Sequence, residues 1–120
     1  MDKAAVRRAI EDGDVDTLLR ECEPLIMELS VRRKWYEYAD DFAQEARLVI
    51  IERYAEYDNR LGDVFTFIFG LINGKILSLI KKEARERLKI KRLREFLKTR
   101  NSPEYIYRGF YNADGGEETM

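Results

Sequence analysis

Any chemistry this chain performs must come from carboxylates, cations and aromatic rings. Its 120 residues include no histidine and one cysteine, Cys22. That composition removes the commonest general base and transition-metal ligand, an internal disulfide, and a thiolate cluster for zinc. Asp41, Glu45, Glu52 and Glu56 recur at helical spacings of four and seven. With no Glu-x-x-His partner they read as solvated charges or a protein-binding edge, and neither a metal nor a cofactor is expected. No nucleophile–base pair or phosphate loop stands out, so neither an enzyme nor a small-molecule substrate is expected. Cys22, with Leu18, Leu19, Leu25 and Ile26 three and four residues away along a helix, reads as a small core residue.

The cations are more informative. A balance of 22 basic against 23 acidic residues gives a net charge of −1 and hides a strongly basic segment. From 81 to 100 run Lys81, Lys82, Arg85, Arg87, Lys89, Lys91, Arg92, Arg94, Lys98 and Arg100, opposed only by Glu83, Glu86 and Glu95. Such a field attracts phosphate backbones; the other reading is a solvated face whose cations pair with those glutamates. Just upstream stand Phe65, Phe67 and Phe69. Two helical residues turn through about 200°, so the three rings cannot all face one core. A ring left outside beside cations suits stacking of unpaired bases, whereas a ring turned inward is core. Gly70 and Gly74 form a small-xxx-small pair that would let another helix approach closely.

Long stretches without helix breakers carry these groups, since proline occurs only at 24 and 103 and no alternating β-branched run appears. The patterning predicts an all-α fold, a compact bundle of about four helices over residues 1–100 followed by an aromatic and then polar tail over 101–120. The first helix spans about Lys3 to Asp12 and ends at Gly13. The second starts after Asp14 or Asp16 and reaches about Tyr36, kinked or split at Pro24. The third opens with Asp41 and Gln44 as a capping box and runs to about Tyr57. Turn residues Asp58 to Gly62 follow, Asp63 caps the fourth helix, and that long basic helix is stopped by Pro103. No run of about 18 uncharged apolar residues occurs, and Arg7, Arg8 and Glu11 follow Met1-Asp2-Lys3 where a signal peptide would be apolar. No membrane association and a cytoplasmic location are expected.

The ungapped run from Asp41-Phe-Ala-Gln-Glu45 through Tyr57-Asp58, Gly62 and Phe65-Thr-Phe67 resembles region 2 of bacterial sigma factors. That family pattern is Asp-Leu-x-Gln-Glu, an apolar helix, an aromatic-Asp pair, a Gly four residues later and then Phe. Ala9 to Leu19 with Pro24-Leu-Ile resembles the family's opening helices, and Leu71 to Arg85 its long basic helix, so the likeness covers about residues 4 to 90. It implies two surfaces. Asp41, Gln44, Glu45, Arg47 and Ile51 match the helix that grips the β′ coiled coil of core RNA polymerase. Phe65, Thr66, Phe67, Ile68, Leu71 and Ile72 match the strand-opening cluster, while Asn73, Lys75 and Ser78 match the face that reads the upstream edge of a −10-type promoter element. Phe69 is a displaced aromatic candidate, and Lys81, Lys82 and Arg85 would lie along the DNA.

The departures fall on the DNA side. The tyrosine and paired tryptophans of primary sigma factors become Ile68, Leu71 and Ile72, and Glu56 stands where a basic residue is frequent. No helix-turn-helix pattern for a −35-type element fits into residues 101 to 120. The resemblance therefore implies a non-enzymatic transcription initiation factor, a stand-alone or split form of the sigma region, with −35 recognition supplied by a separate helix-turn-helix, sigma-like subunit. Tyr105, Tyr107, Phe110 and Tyr111 are candidate docking residues for that subunit or for the domain's own core. Two other readings stay open: a polymerase-binding competitor that does not open promoters, and a general single-stranded nucleic-acid binder.

Overall fold

A computed structural model of the protein describes residues 1–99. The aromatic candidates Tyr105, Tyr107, Phe110 and Tyr111 lie outside the described residues. Within them the chain is all-helical, with α1 (Lys3–Asp12), α2 (Val15–Val31), α3 (Ala39–Arg53) and α4 (Val64–Thr99), and 3₁₀ turns at Tyr36–Tyr38 and Tyr54–Glu56. The fold divides into a unit of Met1–Lys81 and a second beginning at Lys82.

Helix boundaries follow local chemistry. The Asp2 carboxylate accepts from the amides of Ala4 and Ala5 at the start of α1, and that of Asp14 accepts from Thr17 at the start of α2, each satisfying donors that a helix N-terminus leaves free. Gly13 ends α1 in the left-handed region, at φ 67°, a conformation that glycine adopts without penalty. Asp58 accepts from its own downstream amide, that of Arg60, at 2.9 Å, and Asp63 Oδ2 accepts from the Phe65 amide at 3.0 Å as α4 begins. The expected turn and the expected Asp63 cap are both present.

One boundary expectation is narrowed and two are corrected. Of the kink or split expected at Pro24, the split does not occur: α2 runs unbroken across the proline, which is exposed. The single lost donor is tolerated because Leu18, Cys22, Leu25, Ile26 and Leu29 anchor the helix to the core on both sides. It also stops five residues short of Tyr36, where Lys34 takes a positive φ of 62°. Helix α3 starts at Ala39, not at Asp41, and Tyr38 at its cap position makes no side-chain capping bond. Stacking of Tyr38 on Phe42 and contact of Trp35 with Tyr38 shape this entry. Asp41 thus sits in the first turn, acting on the helix dipole instead of as a cap.

The core of the first unit is built from Val6 and Ala9 of α1, Leu18, Cys22, Ile26 and Leu29 of α2, Phe42, Ala46 and Ile50 of α3, and Val64, Ile68, Ile72 and Ile76 of α4. Each fully buried aliphatic side chain contributes roughly 1.5–3 kcal/mol. Helix α2 is central, packing on both α1 and α3. Burial beside Glu21 raises the Cys22 thiol to about 12, desolvation being the larger cause, as suits a core residue rather than a reactive one. The first half of α4 is long and apolar enough to cross a membrane by composition, and its Val64, Ile68, Ile72 and Ile76 are buried against the other helices.

Candidate protein and nucleic-acid interfaces

Asp41, Gln44, Leu48, Ile51 and Glu52 all face solvent on α3, with Glu45 half-buried among them. At about 100° per residue they share one side of the helix, opposite Ala43, Ala46 and Ile50 in the core. Leu48 and Ile51 are 50% and 42% exposed, an apolar strip edged by carboxylates. Leu48 was not singled out from the sequence, although its spacing of seven from Asp41 and three to Ile51 could have flagged it. Arg47 sits at the border of this face and turns toward α2. There it makes a two-pronged ion pair with Glu23, Nη2 to Oε2 at 2.6 Å and Nε to Oε1 at 3.1 Å. The Arg47 hydrogen bond holds the Glu23 carboxyl below the ordinary glutamate range. Arg47 also donates to the Gln44 side chain at 3.2 Å, and Glu45 pairs with Lys75, so three of the five matched positions are engaged by partners within the fold.

On α4 the three phenylalanines separate as their spacing requires. Phe65 is 37% exposed and meets Phe69, one turn on, with ring centres 6.0 Å apart. Phe67 points the other way, half-buried with its ring 5.4 Å from that of Tyr57. The positions matched to the family's tyrosine and tryptophans, Ile68, Leu71 and Ile72, are all buried. Thr66, Gly70, Gly74 and Ser78 line the outward side of the helix. A methyl group built on Gly70 or Gly74 would meet no neighbouring element within 4 Å, so among the described residues no other helix approaches at this pair; both glycines are exposed.

The end of α2 supplies what inspection of the sequence missed. Arg32 lies over the Phe69 ring at 6.0 Å and pairs with Glu28 at 2.6 Å, and Arg33 donates to the Asn73 side-chain oxygen at 3.3 Å. Phe65, Phe69 and Asn73, at steps of four, therefore form a strip of α4 bordered by the two arginines that follow α2. The run Arg32-Arg33-Lys34 was the available signal. Lys75 ion-pairs with Glu45 at 3.6 Å. Lys81 is exposed at the end of the first unit; in the second, Lys82 and Arg85 are exposed as well. Among the described residues no three metal-ligating side chains converge.

No family model matches the chain, and no curated protein or solved structure is significantly similar to it.

Proposed function

We propose that the protein is a sigma-region-2-like transcription initiation factor. In this reading the exposed α3 face docks on the β′ coiled coil of core RNA polymerase, and α4 contacts −10-type promoter DNA. A separate helix-turn-helix subunit provides −35-type recognition. The observation that carries the reading is the α3 face itself: Asp41, Gln44, Glu45 and Ile51, four of the five matched positions, fall on one side of the helix with Leu48 between them, and the fifth, Arg47, borders it. Carboxylates around two exposed aliphatic side chains suit a basic, amphipathic helix pair. On the DNA side, Phe65 supplies a stacking ring, and Arg32 and Arg33 supply cations at its strip. No group in the proposed role performs catalysis.

The competitor reading is favoured by one specific feature. Ile68, Leu71 and Ile72 are buried and Phe67 packs on Tyr57, which leaves Phe65 and Phe69 as the rings nearest to solvent in this stretch. A run-off transcription assay with core polymerase separates the two readings. Open-complex formation that needs this protein together with a −35-reading subunit supports the initiation factor. Inhibition of an endogenous sigma factor without any initiation supports the competitor. Retention of single-stranded DNA with no affinity for polymerase would replace both by the general nucleic-acid binder.

A further inference from the structure

The second unit poses a different question. Over Lys82–Thr99 the helix keeps large apolar residues, yet Ile90 and Leu93 are each 49% exposed and Leu97 is 38% exposed. Spaced by three and four, these residues form one seam along the helix. At about 100° per residue, Lys89 lies to one side of the seam and Arg94 and Lys98 to the other. Glu86, four residues before Ile90, ends the apolar seam on its N-terminal side and pairs with Lys89 at 3.3 Å. Both partners of that pair are more than half exposed, so the lysine is readily given up to a better-placed carboxylate.

A phosphate polymer would neutralise these cations and leave three aliphatic side chains in water. A purely apolar surface would cover the aliphatics and desolvate the cations without answering them. A second copy in parallel register would set cation against cation along both flanks. An amphipathic helix with aliphatic residues on its seam and glutamates or aspartates on its flanks satisfies both features. We propose that the Ile90–Leu93–Leu97 seam docks an acidic amphipathic helix of another protein. The inference uses neither the α3 face nor the Phe65 strip, and it stands independently of the sigma-like reading.

The test titrates the full-length protein against a fluorescent synthetic peptide of three heptads, with leucine and isoleucine on the seam and glutamate on the flanks. A scrambled peptide of the same composition, a duplex DNA and anionic vesicles serve as the other arms. Saturable binding of the acidic helix is expected, at least about tenfold tighter than of the scrambled peptide. Leu93→Glu should weaken it by a similar factor, and so should the paired reversal Lys89→Glu with Arg94→Glu, with circular dichroism unchanged because these side chains are exposed. Absence of binding would overturn the proposal, as would equal binding of the scrambled peptide. DNA or vesicle binding that depends on Leu93 would give the seam to that partner instead, and a dimer dissolved by Leu93→Glu would give it to a second copy.

Discussion

Lys75 of α4 places its ammonium 3.6 Å from the Glu45 carboxylate of α3. One residue belongs to the face matched to polymerase docking and the other to the face matched to promoter DNA, so the two surfaces meet at an ion pair. Both side chains are more than a third exposed, and such a pair is worth only about 0.2–1 kcal/mol. Lys75→Ala should therefore lower stability by less than about 1 kcal/mol in urea unfolding. It should weaken DNA binding while leaving Glu45 available, so that affinity for polymerase is unchanged. Equal loss at both ligands would show that the pair holds the faces together.

The phenylalanines should divide between binding and stability. Phe65→Ala should keep the melting temperature within a few degrees and weaken binding to a single-stranded oligonucleotide by the roughly 1–3 kcal/mol typical of one stacked base. Phe67, packed on Tyr57, should do the reverse, Phe67→Ala costing about 2 kcal/mol of stability or more. Fluorescence anisotropy and thermal unfolding of the two variants check this together.

The glycines should behave oppositely as well. Gly13 holds a φ of 67°, so Gly13→Ala should destabilise by about 1 kcal/mol through left-handed strain. Gly70 and Gly74 lie in helical backbone with open space around them, and alanine at either should stabilise by roughly 0.5–1 kcal/mol. If DNA backbone approaches that smooth face, the same substitutions will weaken DNA binding; unchanged affinity places the contact elsewhere on α4.

Acid should act on the Glu23–Arg47 pair. The folded state holds Glu23 below its ordinary value of 4.5, the Arg47 hydrogen bond being the main cause. The pair's contribution is therefore present above that value and lost as the pH falls through the lower folded-state value. Glu23→Gln should remove about 1 kcal/mol at neutral pH, discounted for the partial exposure of both groups, and should flatten the acid limb of the stability–pH curve. An acid limb identical to that of the parent protein would mean that other carboxylates set it.

Much of this arrangement was legible from residue chemistry. Gly13 and Asp63 mark helix ends because left-handed backbone and a capping carboxylate are local properties, and the two-residue spacing of Phe65, Phe67 and Phe69 required them to diverge. Tertiary contacts hid the rest. The turn that follows α2 uses a left-handed residue, Lys34, that is not glycine, and α3 begins at Ala39 where Trp35, Tyr38 and Phe42 pack. Periodicity alone could not place Arg32 over Phe69 or Arg33 on Asn73, because those bonds join segments some forty residues apart. Nor could it tell which side of α4 meets the core: Ile68, Leu71 and Ile72, which the resemblance assigned to a strand-opening cluster, are buried.

The most direct measurement is a titration of the full-length protein into core RNA polymerase, read by labelled-protein anisotropy and repeated with the isolated β′ coiled coil. The docking face requires saturable binding to both, weakened by about tenfold or more in Ile51→Asp and in Asp41→Ala combined with Glu45→Arg, and unaffected by Phe65→Ala. Absence of binding to polymerase, or binding that survives those α3 substitutions unchanged, would contradict it.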